Sequence, residues 1–189
     1  NRLADFSNRL KIYWKAGLLV QLLITGGAGF IGSHSVEAAK AAGHNVRVFA
    51  NRSSGSPEHV PDKVELVVGD ITNAAQVRAA AEGCDAVLHL AAQAGVRASW
   101  GKDFRIYCDA NIMATQRLLE ACTARKTRVV YSSSSSIYGD APDFPTRETT
   151  LPRPISPYGV SKLAGEHLCR LYSQSYVLPT ISLRYFTVY

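Results

Sequence analysis

No stretch of this 189-residue chain reaches the roughly 18 consecutive apolar residues that a membrane span needs, so no membrane segment is expected. Lysine and arginine form no extended run and are not interleaved with aromatics, so nothing points to nucleic acid. The net charge of +6 instead suits anionic small molecules, or simply a solvated basic surface. Cysteine is scarce and badly spaced for chemistry. Cys84, Cys108, Cys122 and Cys169 contain no Cys-x-x-Cys pair, which disfavours a metal site or a disulfide framework. Free thiols in a reducing compartment follow, hence a cytoplasmic protein with no metal. There is no internal repeat and no low-complexity tract. The chain does not begin with methionine, and its first residues contain no small-residue cleavage site after a clean apolar core.

What is present suits one domain, or slightly more than one: 47% of residues are hydrophobic and 19% charged. A chain of this length buries roughly 70% of its extended surface on folding. Residues 1–17 stand apart as a basic N-terminal extension, with Arg2, Arg9, Lys11 and Lys15 against Asp5 alone. Leu3, Phe6, Leu10, Ile12, Tyr13 and Trp14 are interspersed, as in a segment packed on the domain or an amphipathic helix at a membrane surface.

The most informative run is Thr25-Gly26-Gly27-Ala28-Gly29-Phe30-Ile31-Gly32. It follows the apolar residues 18–24 and precedes a helical pattern, so it reads as strand, glycine turn, helix. Gly26 permits a tight turn, Gly29 lets backbone approach a pyrophosphate, and Gly32 lets helix and strand pack closely. The free N–H groups of the helix then point at the anion. Apolar, β-rich runs at 20–25, 45–50, 63–68, 86–90, 128–132 and 180–185 alternate with helical patterns at 31–42, 73–81, 104–124 and 157–175. Most of the strands are continuously apolar, as expected when both faces are buried. Thr72 or Asn73 can cap the second helix, and Gly43 and Gly83 stand where helices should stop. Right-handed crossovers make this an α/β doubly wound parallel sheet of six strands, a Rossmann architecture. Residues 139–156 form a long, proline-rich loop between two chemistry-bearing segments, which argues for a functional loop.

The second segment contains Ser156-Pro157-Tyr158-Gly159-Val160-Ser161-Lys162. Ser156 reads as an N-cap and Pro157 as the first helical residue. Tyr158 and Lys162 are four apart and share a helix face. A tyrosine with a pKa near 10 is a poor base. An ammonium about 5 Å away, at an effective dielectric of about 20, favours its phenolate by roughly 3 kcal/mol, enough to make a general base. The first segment, Tyr131-Ser132-Ser133-Ser134-Ser135-Ser136-Ile137-Tyr138-Gly139, puts hydroxyls at the C-terminal end of the fifth strand, where ligands sit in open α/β sheets.

Taken together these motifs resemble the extended short-chain dehydrogenase/reductase superfamily, in its NAD-dependent sugar-nucleotide epimerase/dehydratase branch. The resemblance also rests on Gly69-Asp70-Ile71, on His89-Leu90-Ala91-Ala92-Gln93-Ala94-Gly95-Val96-Arg97, on Asn111, and on Leu183-Arg184-Tyr185-Phe186-Thr187-Val188-Tyr189, and it spans residues 18–189. It implies Tyr158 as base, Lys162 as its partner and ribose anchor, and Ser134 as hydroxyl relay. Gly26, Gly29, Phe30, Ile31 and Gly32 would hold the cofactor's phosphates, with Asn51 and Arg52 near the adenosine ribose. Asp70 and Ile71 would frame the adenine, and Leu90, Ala91 and Ala92 would line the groove. Arg97, Asn111, Ser134 and Ser135 would meet the substrate, although Arg97 is equally readable as a surface arginine. Dehydratases of this branch follow the catalytic hydroxyl with Asp and Glu; here Ser135 and Ser136 stand there, which disfavours dehydration and decarboxylation.

The activity implied is therefore that of a UDP-sugar 4-epimerase, which oxidises the sugar transiently at C4 and returns the hydride to the opposite face. Alternatives are a non-catalytic NAD(P)-binding module and an NADPH-dependent sugar-nucleotide reductase. Ala50 replaces the Asp that usually grips the adenosine ribose, and Arg52 with Ser53 and Ser54 could hold a 2′-phosphate, so NAD is expected and NADP stays open. The resemblance implies a homodimer through residues 104–124 and 157–175. It also implies that a second, sugar-nucleotide domain would follow Tyr189 and is missing from residues 18–189.

Overall fold

The computed structural model describes residues 19–51 and 55–189. Six strands form one fully parallel sheet: β1 (Gln21–Thr25), β2 (Asn45–Ala50), β3 (Glu65–Val68), β4 (Ala86–His89), β5 (Arg128–Ser134) and β6 (Thr180–Tyr185). Their order is β3-β2-β1-β4-β5-β6, so the direction of winding reverses between β1 and β4. That reversal opens a crevice at the C-terminal strand ends. The expected strands are all present. The run at 128–132 continues two residues further, so Ser133 and Ser134 are still strand and pair with Arg184 and Tyr185.

Side chains alternate across the sheet and build two cores. On one face Ile24, Val46, Val48 and Ala50 pack under Val36 of α1 (Phe30–Ala41). On the other, Leu23, Phe49, Val87, Val129 and Tyr131 pack under three helices. These are α2 (Ala74–Ala81), which contributes Val77 and Ala80, α4 (Ala114–Thr123), with Leu118 and Leu119, and α5 (Pro157–Tyr176), with Cys169 and Tyr172. Each fully buried aliphatic side chain adds roughly 1.5–3 kcal/mol of transfer free energy.

Caps set the helix starts. Asn73 accepts from the N–H groups of Ala75 and Gln76, and Ser156 accepts from Gly159 N–H with Pro157 in the first turn. Gly43 and Gly83 terminate helices with φ of +86° and +76°. The pattern read as one helix over 104–124 is instead three pieces: α3 (Phe104–Tyr107), a π-helical turn (Cys108–Met113) and α4. A π turn widens a helix locally, and such turns gather at functional sites. Here it turns Asn111 fully inward, to 1% exposure. Among the described residues no helix is long and apolar enough to cross a membrane. The basic extension at 1–17, and Arg52 with Ser53 and Ser54, lie outside the described residues.

Candidate functional site

Gly26 takes φ of +72°, and a Cβ there would lie 2.8 Å from Ala91 N. The turn therefore brings β1 directly against the chain leaving β4. A Cβ on Gly32 would lie 2.1 Å from Gly26 O, which is the close contact of helix and turn that only glycine allows. Gly29 is the N-cap of α1 and supplies no side-chain cap, and the first turn holds no acidic residue. The leading N–H groups of α1 thus face the crevice, at the positive end of the helix dipole.

A cleft of about 340 Å³ opens there. Its wall includes Gly26, Gly29, Phe30, Ile31 and Gly32 from the turn and α1, Asn51 beyond β2, Ile71, and Leu90, Ala91 and Ala92 beyond β4. Ala50 and Ser132 also line it, so a methyl group stands where the resemblance leads one to expect an Asp carboxylate. Glycine backbone, uncapped amides and an apolar groove in this order fit a dinucleotide. Asp70 is outside the wall. Its carboxylate accepts from the N–H and the hydroxyl of Thr72, both at 2.8 Å. A larger hollow of about 620 Å³ lies between α5 and β6, beside Leu163, His167, Arg170 and Ser182, away from Ser134 and Tyr158.

Ser134 and Tyr158 meet at the end of β5. Ser134 caps the short turn Ser135–Ile137, its Oγ accepting from Ser136 N–H at 3.1 Å. Burial raises the Tyr158 pKa, the nearby Ser134 hydroxyl pulls it down in part, and Tyr107 pushes it up slightly. The Tyr107 ring meets that of Tyr158 edge-on, 6.2 Å between centroids.

Lys162 behaves differently from the expectation. Its Nζ sits 4.8 Å above the Tyr131 ring, the side chain is 3% exposed, and desolvation lowers its pKa to about 8. The groups that shift Tyr158 are its own burial, Ser134 and Tyr107, so the phenol is not drawn below its usual value by the ammonium. The helix spacing holds, but the ammonium is turned onto Tyr131.

Two expected substrate contacts are placed on different footings. Arg97 is exposed, in a short turn (Arg97–Ser99). Asn111 is buried and its amide is engaged by protein: it donates to Gln93 O at 3.0 Å and Ser161 Oγ at 2.9 Å, and accepts from Gln93 N at 2.7 Å. It ties the π turn to the chain after β4 and to α5. Ser135 is half-buried beside Ser134.

Three residues with no assigned role also build the site. Ser99 Oγ accepts the Tyr158 N–H at 3.1 Å, capping α5 from a distant loop, and donates to Val96 O. Tyr107 donates to the carbonyls of Ala94 and Gly95. His89 is buried between Thr25 Oγ1 at 2.7 Å and Thr115 Oγ1 at 3.1 Å. Thr115 donates to Asn111 O, so it accepts from His89 Nε2–H, and Nδ1 accepts from Thr25. Thr25 Oγ1 in turn accepts the Ala91 N–H. Burial, helped by the Lys162 charge, lowers the His89 pKa to about 3, so the ring is neutral. This chain of bonds runs from the cleft wall to the π turn. Ser99 and Tyr107 make contacts across large sequence separations, and no local pattern marks them.

Comparison with known proteins bears on the family and the fold. Residues 22–189 match the model of the NAD dependent epimerase/dehydratase family. An uncharacterized UDP-glucose epimerase of Bacillus subtilis is 41% identical over 181 residues, which is 90% of this chain and 57% of that protein. The crystal structure of UDP-glucuronic acid 4-epimerase from Bacillus cereus, in complex with UDP-glucuronic acid and NAD, superposes with a TM-score of 0.82 at 41% identity. It covers 89% of this chain and 57% of that one. A dTDP-glucose 4,6-dehydratase of Mycolicibacterium smegmatis is 39% identical over 173 residues, 86% of this chain and 52% of that protein. The chain thus spans about half the length of the curated relatives it matches.

Proposed function

The chain belongs to the NAD dependent epimerase/dehydratase family, and on that footing we propose that it is the cofactor-binding and catalytic half of a UDP-sugar 4-epimerase that uses NAD. The observation that carries this is a glycine-lined cleft that reaches Ser132 on β5, the strand whose last residue is Ser134, the hydroxyl that lowers the Tyr158 pKa. Overall similarity does not separate epimerase from dehydratase, since both stand near 40% identity. Ser135 and Ser136 do separate them, because neither can act as the acid or base that removes water from a sugar.

Gly26, Gly29 and the first turn of α1 would hold the pyrophosphate, and Leu90, Ala91 and Ala92 the flat of the groove. Bound there, NAD supplies the acceptor and donor of hydride. Tyr158, once deprotonated, takes the proton of the C4 hydroxyl, and Ser134 holds that oxygen and passes the proton across. Lys162, its pKa lowered to about 8 by burial, stands one helical turn behind as a positive charge. The half-buried site limits water near the reacting oxygen. Ala50 removes the ribose carboxylate, so the adenosine end is held by backbone and by Asn51. Two copies joined through residues 104–124 and 157–175 are part of the same proposal, and light scattering reads that assembly directly.

The test is interconversion of UDP-glucose or UDP-glucuronate with its 4-epimer by the full polypeptide that carries this chain, with no net NADH or NADPH consumed. Tyr158→Phe should lower kcat by about 10²-fold or more, the usual worth of a positioned base. A Tyr158→Phe enzyme with full activity overturns the assignment, and net NADPH consumption would mark a reductase instead. Calorimetric titration should show NAD binding more tightly than NADP.

A further inference from the structure

Arg184 lies on β6 opposite Ser133 of β5. Its guanidinium grips Glu166 through two parallel bonds, Nε to Oε1 at 3.0 Å and Nη2 to Oε2 at 2.9 Å. Nη1 donates to the Tyr138 hydroxyl and to the Glu148 carbonyl, each at 2.8 Å. Its Cζ also rests 5.0 Å from the Tyr138 ring centroid. Both partners of the ion pair are largely enclosed, with side chains 21% and 12% exposed. None of Arg184, Glu166 and Tyr138 lines the cofactor cleft, and the acid–base chemistry above uses none of them.

Their positions in the chain give the contact its meaning. Tyr158, Lys162 and Glu166 follow at intervals of four along α5, so Glu166 continues the stripe that carries the phenol and the ammonium. Tyr138 ends the short turn that Ser134 begins. Glu148 lies midway along the loop that joins the two. A single guanidinium therefore fastens the helix of the phenol, the turn of the hydroxyl and the loop between them to the end of one strand.

We propose that Arg184 and Glu166 form a positioning clamp that sets the spacing between the Ser134 hydroxyl and the Tyr158 phenol. The proposed function says what that spacing is for, while the clamp itself stands on the geometry. An O–H···O bond weakens steeply outside a narrow range of distance and angle. A small rotation of α5 about its axis would move the phenol out of that range, and a planar fork bound at two points resists such a rotation where a single point charge does not. Moving the Ser134 hydroxyl away removes the one neighbour that lowers the Tyr158 pKa, leaving burial to raise it.

The test compares Arg184→Lys, which keeps the charge and loses the fork, and Glu166→Gln, which keeps the shape and loses the charge, in the full chain. The readout is the titration of Tyr158 by carbon-13 tyrosine NMR, its signal assigned by absence in Tyr158→Phe. Each variant should retain a cooperative melt while the Tyr158 titration moves up by about one pH unit. In the epimerase assay kcat should fall about tenfold to a hundredfold with KM and NAD affinity little changed, and the acid limb of kcat should move to higher pH. An unchanged titration in a folded variant overturns the clamp. So does a loss of kcat that tracks a loss of NAD affinity while the titration stands still, because that is general loosening. If Arg184→Lys does not fold, Glu166→Gln decides alone, and failure of both to fold assigns the pair to stability and overturns a positioning role. A wild-type chain that epimerises no sugar nucleotide would sink the proposed function, while the NMR titration would still read the clamp.

Discussion

Lys162 is a buried ammonium whose pKa stands at about 8 rather than 10.5. Between those values the unfolded chain holds a proton that the folded chain has released. Stability from this group is therefore complete above 10.5, falls as pH drops toward 8, and is lowest and flat below that. Lys162→Met should remove the penalty. Denaturant titration at pH 7 should show a gain of up to about 3 kcal/mol, and the rise in stability between pH 8 and 10 should disappear. His89 works in the same direction at the acid end: with a pKa of about 3 in place of 6.5, it loses its contribution as pH falls through that interval. His89→Asn should flatten the acid limb of a melting-temperature profile between those pH values. The pair Tyr158 and Lys162 was readable in the sequence, since spacing by four puts both on one helix face. The electrostatics was not, because the ammonium's neighbour is Tyr131, on a strand 31 residues away. Ser134 came from the family resemblance alone, and the structure puts it at the last position of β5.

The element that departs most from its sequence pattern is the long helix through 104–124, broken by the π turn at Cys108–Met113. Hydrophobic spacing reports a helix of period 3.6 and has no signature for one extra residue in a turn, so the break was invisible beforehand. Its product is Asn111, whose amide bridges Gln93 and Ser161. Asn111→Ala would remove partners from the part-buried Gln93 N and O and take one acceptor-side bond from the buried Ser161 Oγ, which still donates to Tyr158 O. Each such group costs about 1–3 kcal/mol, so urea titration should show a loss of that order or more. A loss under half a kcal/mol would mean that water replaces the amide. The β5 strand was underestimated at its end because serine is a weak strand former. Its pairing with Arg184 and Tyr185 extends it through Ser134, which is why that hydroxyl is held on a rigid strand rather than a loop. Caps and stops were legible throughout, since Asn73, Ser156, Gly43 and Gly83 act locally.

On the scale of the whole molecule, strand order and the position of the cleft followed from alternating strands and helices with a glycine turn after the first strand. Right-handed crossovers leave few other arrangements. The hollow between α5 and β6 and the Arg184 clamp were not legible, because both depend on how distant segments pack. With NAD in the cleft, as proposed, folding stability is linked to ligand concentration. NAD at about 100 times its Kd should raise folding stability by about 2.7 kcal/mol, seen as an upward shift of the melting temperature. Gly32→Ala should abolish that shift, since its methyl would collide with Gly26 O. It should also lower stability by about 1–3 kcal/mol, the usual cost of overpacking. A Gly32→Ala protein with an undiminished NAD shift would show that the turn yields without losing the ligand.

The sheet begins at its centre and finishes at its margin. β1 lies in the middle, and β6, the last strand in the described sequence, lies at the edge and carries Arg184. During synthesis a domain of this kind is made from its N-terminal end. Every residue of the cleft wall, up to Ser132, is thus translated before the guanidinium that braces α5. Yet Cys169, Tyr172 and Leu178 complete the core on one face of the sheet, so the cleft gains its full support only as the last strand is added.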